Sequence, residues 1–286
     1  MDKPTNRRRY TAAITAVTTA VALLLIGFVV HSTHHGHARP LSQRSAAARA
    51  ADGSRDLPAV VAPSPSGSPA PVAPMPTDPT GPDGAVQSTE NNNLALTFDD
   101  GPDPTNTPQV LALLAKYHVT ATFCLIGQNV AAYPDLVKQI VAGGNTICDH
   151  SWDHDEQMAG KSLSYIDDEI TRCADAIHQA DPDAVIHYYR QPGGNWSPTI
   201  VSEAMRRGMT PLDWSVDTND WQTPGVASIE STVLNDAVPG SIVLMHDGGG
   251  DRSQTITALQ TLLPTLVTKF QLQPMPTTPV SAAPSP

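Results

Sequence analysis

Two histidines four residues apart, in His150-Ser-Trp-Asp-His154, are the first residues whose types and spacing can do chemistry. This spacing lets two imidazoles reach one metal ion from a tight loop or from a single helical turn. With one carboxylate they make a His₂Asp set, which binds zinc or a similar divalent ion and leaves positions open for water and substrate. Two surface histidines can have the same spacing, so the prediction requires a carboxylate that meets them.

Asp99 and Asp100 are adjacent and supply candidate carboxylates. Two neighbouring carboxylates can divide their work, because one can bind the ion while the other accepts a proton from water. The alternative for this segment is a plain turn, since Gly101-Pro102 follow and aspartate, glycine and proline all favour turns.

Three more residues can serve a hydrolytic centre. His246 follows an apolar run at residues 242–245 and can act as a general acid that protonates a leaving group. Asp217 can hold that imidazole and raise its pKa. Arg190 can orient the carboxylate base and keep it ionised. The alternatives are a histidine that caps a strand and an ordinary salt bridge.

The elements that must position these residues alternate regularly along the chain. Apolar β-type runs predict strands at residues 94–98, 121–126, 145–148, 185–189, 209–214 and 241–245. Helical periodicity predicts helices at residues 107–118, 133–142, 162–179, 198–207, 229–237 and 254–270. This pattern predicts an α/β fold, namely a distorted, incomplete TIM-like (β/α) barrel of parallel strands, with a doubly wound open sheet as the alternative. Both architectures bind ligands at the carboxyl ends of strands, where the polar clusters lie.

The composition divides the chain into five segments. Residues 1–10 are basic and are predicted to be cytoplasmic, and residues 11–30 are uncharged and long enough to cross a bilayer as a signal-anchor. The alternative is a signal peptide that is cleaved, leaving a secreted protein. Residues 31–90 and 274–286, which are rich in proline, are predicted to be a disordered linker and tail. The catalytic domain is expected at residues 91–273, on the extracellular side of the membrane.

Charge and cysteines restrict the partners and the compartment. Residues 57–286 carry nine of the 17 basic residues and 25 of the 28 acidic residues, a net charge of −16. So acidic a body repels polyanions, which excludes nucleic acid as a partner. Export permits disulfides, and Cys124 and Cys148 each end an apolar run, so we favour this pair over pairings with Cys173. We expect a monomer.

Together, five ordered motifs resemble the polysaccharide deacetylase domain of carbohydrate esterase family 4, also called the NodB homology domain. The motifs are Thr97-Phe-Asp-Asp100, His150-Ser-Trp-Asp-His154, Arg190-Gln-Pro-Gly-Gly194, Asp217-Thr-Asn-Asp-Trp221 and Val243-Leu-Met-His-Asp247. The resemblance implies the following roles: Asp99 as the general base, Asp100, His150 and His154 as metal ligands, Arg190 as the support of Asp99, His246 as the acid tuned by Asp217, and Trp221 as a wall of the substrate groove.

The resemblance also implies a reaction, the metal-dependent removal of acetyl groups from the N-acetylglucosamine residues of a polysaccharide. Zinc is the favoured ion, with cobalt, manganese and nickel as alternatives. Peptidoglycan is the favoured polymer, because the predicted anchor and linker would hold the domain within a cell wall. The alternatives are chitooligosaccharide deacetylation, acetylxylan esterase activity and a non-catalytic wall-binding module. The third motif departs from the family at Gly193, where an aromatic residue is usual and where the backbone N–H is expected to assist the oxyanion.

Overall fold

A computed structural model describes residues 81–277, which contain one sheet of seven parallel strands. The strands are β1 (Ala95–Gly101), β2 (Thr122–Leu125), β3 (Thr146–Asp149), β4 (Ile186–Tyr189), β5 (Thr210–Pro211), β6 (Val216–Asp217) and β7 (Ile242–His246). The helices are α1 (Thr107–Lys116), α2 (Gly127–Ala132), α3 (Pro134–Ala142), α4 (Leu163–Ala180), α5 (Pro198–Arg206), α6 (Val226–Asp236) and α7 (Ser253–Lys269). All six predicted helices are confirmed to within three residues, and α2 is an additional short helix.

The sheet curls into an incomplete barrel. Its strand order is β5-β4-β3-β2-β1-β7-β6, so β5 and β6 are the two edges, yet only residues 212–215 separate them along the chain. Five Cα steps reach at most about 18 Å, whereas the edges of a flat seven-stranded sheet lie about 29 Å apart. The sheet must therefore curl, which confirms the predicted barrel and excludes the open doubly wound alternative.

The same short connection overturns one predicted element. A single strand was expected at residues 209–214, but only Thr210–Pro211 pair with β4. After Pro211 the chain leaves this edge, crosses the open side of the barrel and pairs with β7 at Val216–Asp217. The apolar run therefore contributes only the two residues of β5, and a second short strand, β6, follows it at the opposite edge of the sheet.

Residues on both sides of the predicted domain boundaries pack against the barrel. Val86 bridges to Leu212 beyond β5, and Ser88 bridges to Ser241 before β7, so this segment fills part of the opening. After α7, the Met275 N–H donates to the Thr122 hydroxyl at the start of β2, over 2.9 Å. Met275 is only 2% exposed, so residues that pack against the barrel lie beyond the predicted boundaries at residues 91 and 273.

Alternating strand residues face two apolar layers. Phe123 and Ile147 pack outward against the helices, whereas Cys124 and Cys148 face the barrel interior with Tyr188. Cys124 and Cys148 are paired in register across β2 and β3 and form a disulfide, with Cα atoms 4.2 Å apart. The structure thus confirms the favoured cysteine pair.

Within residues 81–277 no helix is both long and apolar enough to cross a membrane. The predicted membrane span at residues 11–30, the basic segment before it, most of the linker and residues 278–286 of the tail lie outside the described residues.

Candidate active site

A pocket of about 730 Å³ opens at the carboxyl ends of the strands. Eight of the nine predicted site residues line it: Asp99, Asp100, His150, His154, Gly193, Asp217, Trp221 and His246. The ninth, Arg190, lies behind the pocket wall and is completely buried. The structure therefore brings the predicted residues together from five separate strand ends.

A bulge at the end of β1 turns two adjacent carboxylates toward the pocket. In a regular strand the side chains of Asp99 and Asp100 would point to opposite faces of the sheet. The register with β2 shifts between Asp99 and Gly101, and Asp100 has a left-handed backbone with φ of 71°. Such bulges re-aim side chains. Both carboxylates consequently line the same cavity.

The glycines after β7 permit the close approach that this arrangement needs. A Cβ atom on Gly248 would collide with the backbone carbonyl of Asp100, and one on Gly249 would collide with its carboxylate. Gly249 also has a φ of 72°, which side chains rarely adopt. Gly248 and Gly249 are therefore required for the close packing around Asp100.

Asp100, His150 and His154 form a group whose ligand atoms all lie within 4.8 Å of one another. Asp100 Oδ1 is 3.6 Å from His150 Nε2 and 3.3 Å from His154 Nε2. This oxygen is buried, and no hydrogen-bond partner for it exists among the described residues. Two imidazole nitrogens and an orphaned carboxylate oxygen are the donor set of a zinc-type ion, so these residues fit a divalent metal.

The surroundings of His150 prepare it for such a role. Its Nδ1 lies 2.8 Å from the carbonyl oxygen of Arg190, which can only accept, so Nδ1 carries the proton and the lone pair is on Nε2. Burial, reinforced by His154, lowers the pKa of His150 to about 3. The ring is thus neutral at physiological pH, as a metal ligand must be.

Asp99 is held by a fully buried guanidinium. Arg190 Nη1 donates to Asp99 Oδ1 over 2.7 Å and to the Thr97 hydroxyl over 2.9 Å. Its remaining nitrogens donate to the backbone carbonyls of Leu212 and Asp213, at 3.2 and 3.0 Å. Since the arginine is fixed at every nitrogen, it fixes the orientation of the Asp99 carboxylate.

The partner of His246 is Asp220 and not Asp217. Asp220 Oδ1 lies 2.7 Å from His246 Nδ1, and its Oδ2 accepts from the His246 N–H and the Thr255 hydroxyl. Asp217, which was predicted for this role, lines the pocket and accepts from the Asn219 N–H instead. Asn219 has a φ of 51° and precedes the turn Asp220–Gln222. This turn places the Asp220 carboxylate within hydrogen-bond distance of the His246 imidazole.

This correction gives a prediction for the pH profile. Burial alone would lower the pKa of His246, but its hydrogen bond to Asp220 and the Asp220 charge raise it above the usual value. An acid works only while protonated, so the basic limb of the kcat/KM profile follows this pKa. We expect Asp220→Asn to move that limb to lower pH and to reduce kcat about 10²-fold.

The matched control is Asp217→Asn, which neutralises a nearby aspartate whose hydrogen bond goes to the Asn219 N–H and not to His246. Its basic limb should stay in place. A limb that moves with Asp217→Asn and not with Asp220→Asn would restore the original assignment.

Apolar and aromatic side chains complete the pocket wall. Trp221 is 53% exposed at the rim, and Trp214 lies against Gly194, where a Cβ would come within 2.7 Å of the indole. Gly193 has a φ of 64°, and Glu156 packs against it on the side where a residue with a side chain would project. Sequence reasoning missed Trp214 and Glu156 as pocket residues, although Glu156 follows the second histidine by only two positions.

Comparisons with known proteins agree with this geometry. The family described as Polysaccharide deacetylase matches residues 86–212. A chitooligosaccharide deacetylase from Rhizobium leguminosarum bv. trifolii is 38% identical over 199 residues, which cover 65% of this chain and 92% of the relative. A peptidoglycan-N-acetylglucosamine deacetylase from Bacillus cereus is 41% identical over 175 residues, 60% of this chain and 81% of the relative.

A solved structure of a carbohydrate esterase family 4 pseudoenzyme from Bacillus anthracis superposes with a TM-score of 0.62 at 26% identity, over 68% of each chain. It shares the fold, and its name shows that the fold alone does not establish a reaction. The relatives, the family match and the barrel agree, and the chain belongs to the polysaccharide deacetylase family.

Proposed function

We propose that this protein is a metal-dependent hydrolase that removes acetyl groups from N-acetylglucosamine residues of a polysaccharide, with peptidoglycan as the favoured polymer. The observation that supports it best is the grouping of Asp100, His150 and His154 beside an arginine-held Asp99. A pseudoenzyme would have no need for base, ligands and acid in one pocket.

Asp100, His150 and His154 would hold the ion, and zinc is our proposed metal because the set combines two imidazoles with one carboxylate. When bound, such an ion acts as a Lewis acid toward water and carbonyl oxygen. Cobalt, manganese and nickel accept similar ligands and are the alternatives.

The protein's own groups would carry the protons. Asp99, oriented by Arg190, accepts a proton from the attacking water. The backbone N–H of Gly193 is available at the pocket wall to donate to the developing oxyanion. His246, charged with the help of Asp220, donates a proton to the departing amine. The products are acetate and a free amino sugar, so atoms and protons balance.

Two kinds of observation support the choice of polymer. The relatives named above act, by their names, on chitooligosaccharides and on peptidoglycan N-acetylglucosamine. The predicted anchor at residues 11–30 and the linker after it favour the cell wall, and we propose a location on the extracellular side of the membrane.

The test is acetate release by the full-length protein from peptidoglycan, chitooligosaccharides and acetylated xylan. We expect release from the first two, with peptidoglycan preferred, and a loss of at least 10²-fold after chelation that added zinc reverses. Release from acetylxylan alone would contradict the amide reaction and favour the esterase alternative. Binding of peptidoglycan without any acetate release, with zinc present, would favour the wall-binding module.

A further inference from the structure

The loop that carries the two predicted histidine ligands is bent into an unfavourable shape. Ser151 and His154 have φ values of 62° and 64°, in the left-handed region that disfavours residues with side chains. Such a conformation persists only where its surroundings hold it. The contacts to the backbone of residues 150–154 therefore determine whether both imidazoles face Asp100 before an ion binds.

The His150 N–H donates to the Leu125 carbonyl, and two further N–H groups of the loop bind side chains close by in the sequence. The Ser151 N–H donates to Asp149 Oδ1 over 2.9 Å, and the His154 N–H donates to the Ser151 hydroxyl over 3.1 Å. Two loop carbonyls are also engaged, because Ser151 and Trp152 accept from the N–H groups at the start of α2. The two central N–H groups, those of Trp152 and Asp153, take no part in these contacts.

One side chain from outside the loop binds both central N–H groups. The N–H groups of Trp152 and Asp153 each donate to Glu169 Oε2, and both distances are 3.1 Å. Glu169 lies in the middle of α4 and is only 2% exposed. One turn further along the same helix, the Arg172 guanidinium lies 4.2 Å from the centre of the Trp152 ring. Helix α4 therefore contacts the loop through two side chains, Glu169 and Arg172.

We propose that Glu169 is a positioning residue of the metal site, which raises the affinity for the ion by holding the loop between His150 and His154 in its ligating shape. The proposal rests on the metal site of the proposed function, but Glu169 is neither a ligand nor a residue of the pocket wall. Both bonds end on one oxygen, so a small displacement of this side chain releases both N–H groups.

The experiment measures zinc binding by the full-length protein in detergent, in competition with a chelating dye and without substrate. We expect Glu169→Ala to weaken zinc binding about 10- to 100-fold, the usual effect of losing an outer partner of a metal ligand. Glu169→Asp keeps the carboxylate but shortens the side chain by one methylene, so its oxygen no longer reaches the loop. We expect this variant to weaken zinc binding as well. Glu169→Gln keeps an acceptor oxygen at full reach and should stay within about threefold of the wild type. Asp175→Ala, which removes an exposed acidic side chain of the same helix, is the matched control and should bind zinc normally.

A second readout separates positioning from general damage to the fold. With zinc in large excess, the Glu169→Ala protein should regain kcat to within about threefold, with an unchanged KM for the oligosaccharide, because only the occupancy of the site was lost. A protein with a damaged fold would not be rescued by metal. If Glu169→Ala fails to fold, the comparison of zinc affinity between Glu169→Asp and Glu169→Gln tests the proposal.

Wild-type zinc affinity in both Glu169→Ala and Glu169→Asp would overturn the proposal. A Glu169→Gln protein as weak as Glu169→Ala would also contradict it, since glutamine preserves the acceptor. Zinc binding is measured here without a sugar. A protein that binds zinc as predicted but releases no acetate would therefore count against the proposed function alone.

Discussion

Replacing Asp99 with asparagine is expected to lower kcat for acetate release by about 10²- to 10⁴-fold, the usual contribution of a positioned general base. The amide has nearly the same shape and can still accept from Arg190, which donates to Oδ1 over 2.7 Å in the native protein. An amide does not take up a proton near neutral pH. Zinc affinity should stay close to that of the wild type, because the three ligands are unchanged. The measurements are kcat with a chitooligosaccharide and zinc affinity by chelator competition.

The matched control is Glu156→Gln, which neutralises another acidic residue that lines the same pocket. It should retain kcat to within about threefold. Melting temperatures of both variants test whether the loss of the buried Asp99–Arg190 ion pair damages the fold, since breaking such a pair is destabilising. An Asp99→Asn protein with wild-type turnover would show that Asp99 is not the base.

Replacing His150 with alanine is expected to remove both metal and activity. His150 is 2% exposed, and its Nε2 lies 3.6 Å from Asp100 Oδ1, within the group of three predicted ligands. Loss of a ligand should weaken zinc binding by more than the 10- to 100-fold typical of an outer partner. We expect kcat/KM to fall at least 10³-fold at limiting zinc, which a titration with added zinc should only partly reverse.

His178→Ala is the control for this variant, because His178 is exposed near the end of α4 and belongs to no part of the pocket. It should bind zinc and release acetate as the wild type does. Retention of zinc at wild-type affinity by His150→Ala would remove this residue from the ligand set. The contrast between Asp99→Asn, which keeps the ion, and His150→Ala, which loses it, separates the base from the ligands.

Much of the site could be predicted from the sequence, because parallel strands place their carboxyl ends at one edge of a barrel. Polar clusters that followed predicted strands had to meet there, whatever the details of the loops. Asp100 with His150 and His154, and Asp99 with Arg190, are brought together as expected. These pairs depend on strand ends, which apolar patterns locate well.

The errors arose where a loop and not a strand decides the position. Asp217 and Asp220 are both close to the end of β6, and spacing alone cannot tell which one reaches His246. The left-handed Asn219 starts a turn that gives the contact to Asp220. Likewise, the run at residues 209–214 looked like one strand, since nothing in its composition shows that the chain crosses from one edge of the barrel to the other after Pro211.

The role of Glu169 had no local signal either. It lies on the apolar face of α4, and its partners at residues 152 and 153 are backbone groups, which a sequence pattern does not reveal. Contacts between a side chain and a distant backbone need coordinates. The Gly193 departure was visible in sequence, but its consequence, Glu156 packed beside it, was not.

A crystal structure of the zinc-loaded protein, with anomalous scattering recorded at the zinc edge, tests the metal centre most directly. We predict a single strong peak at about 2.0 to 2.2 Å from an Asp100 carboxylate oxygen and from Nε2 of His150 and His154, with at least one further position filled by solvent. An ion bound elsewhere, or an Asp100 side chain out of coordinating reach of both histidines, would contradict the proposed hydrolytic centre.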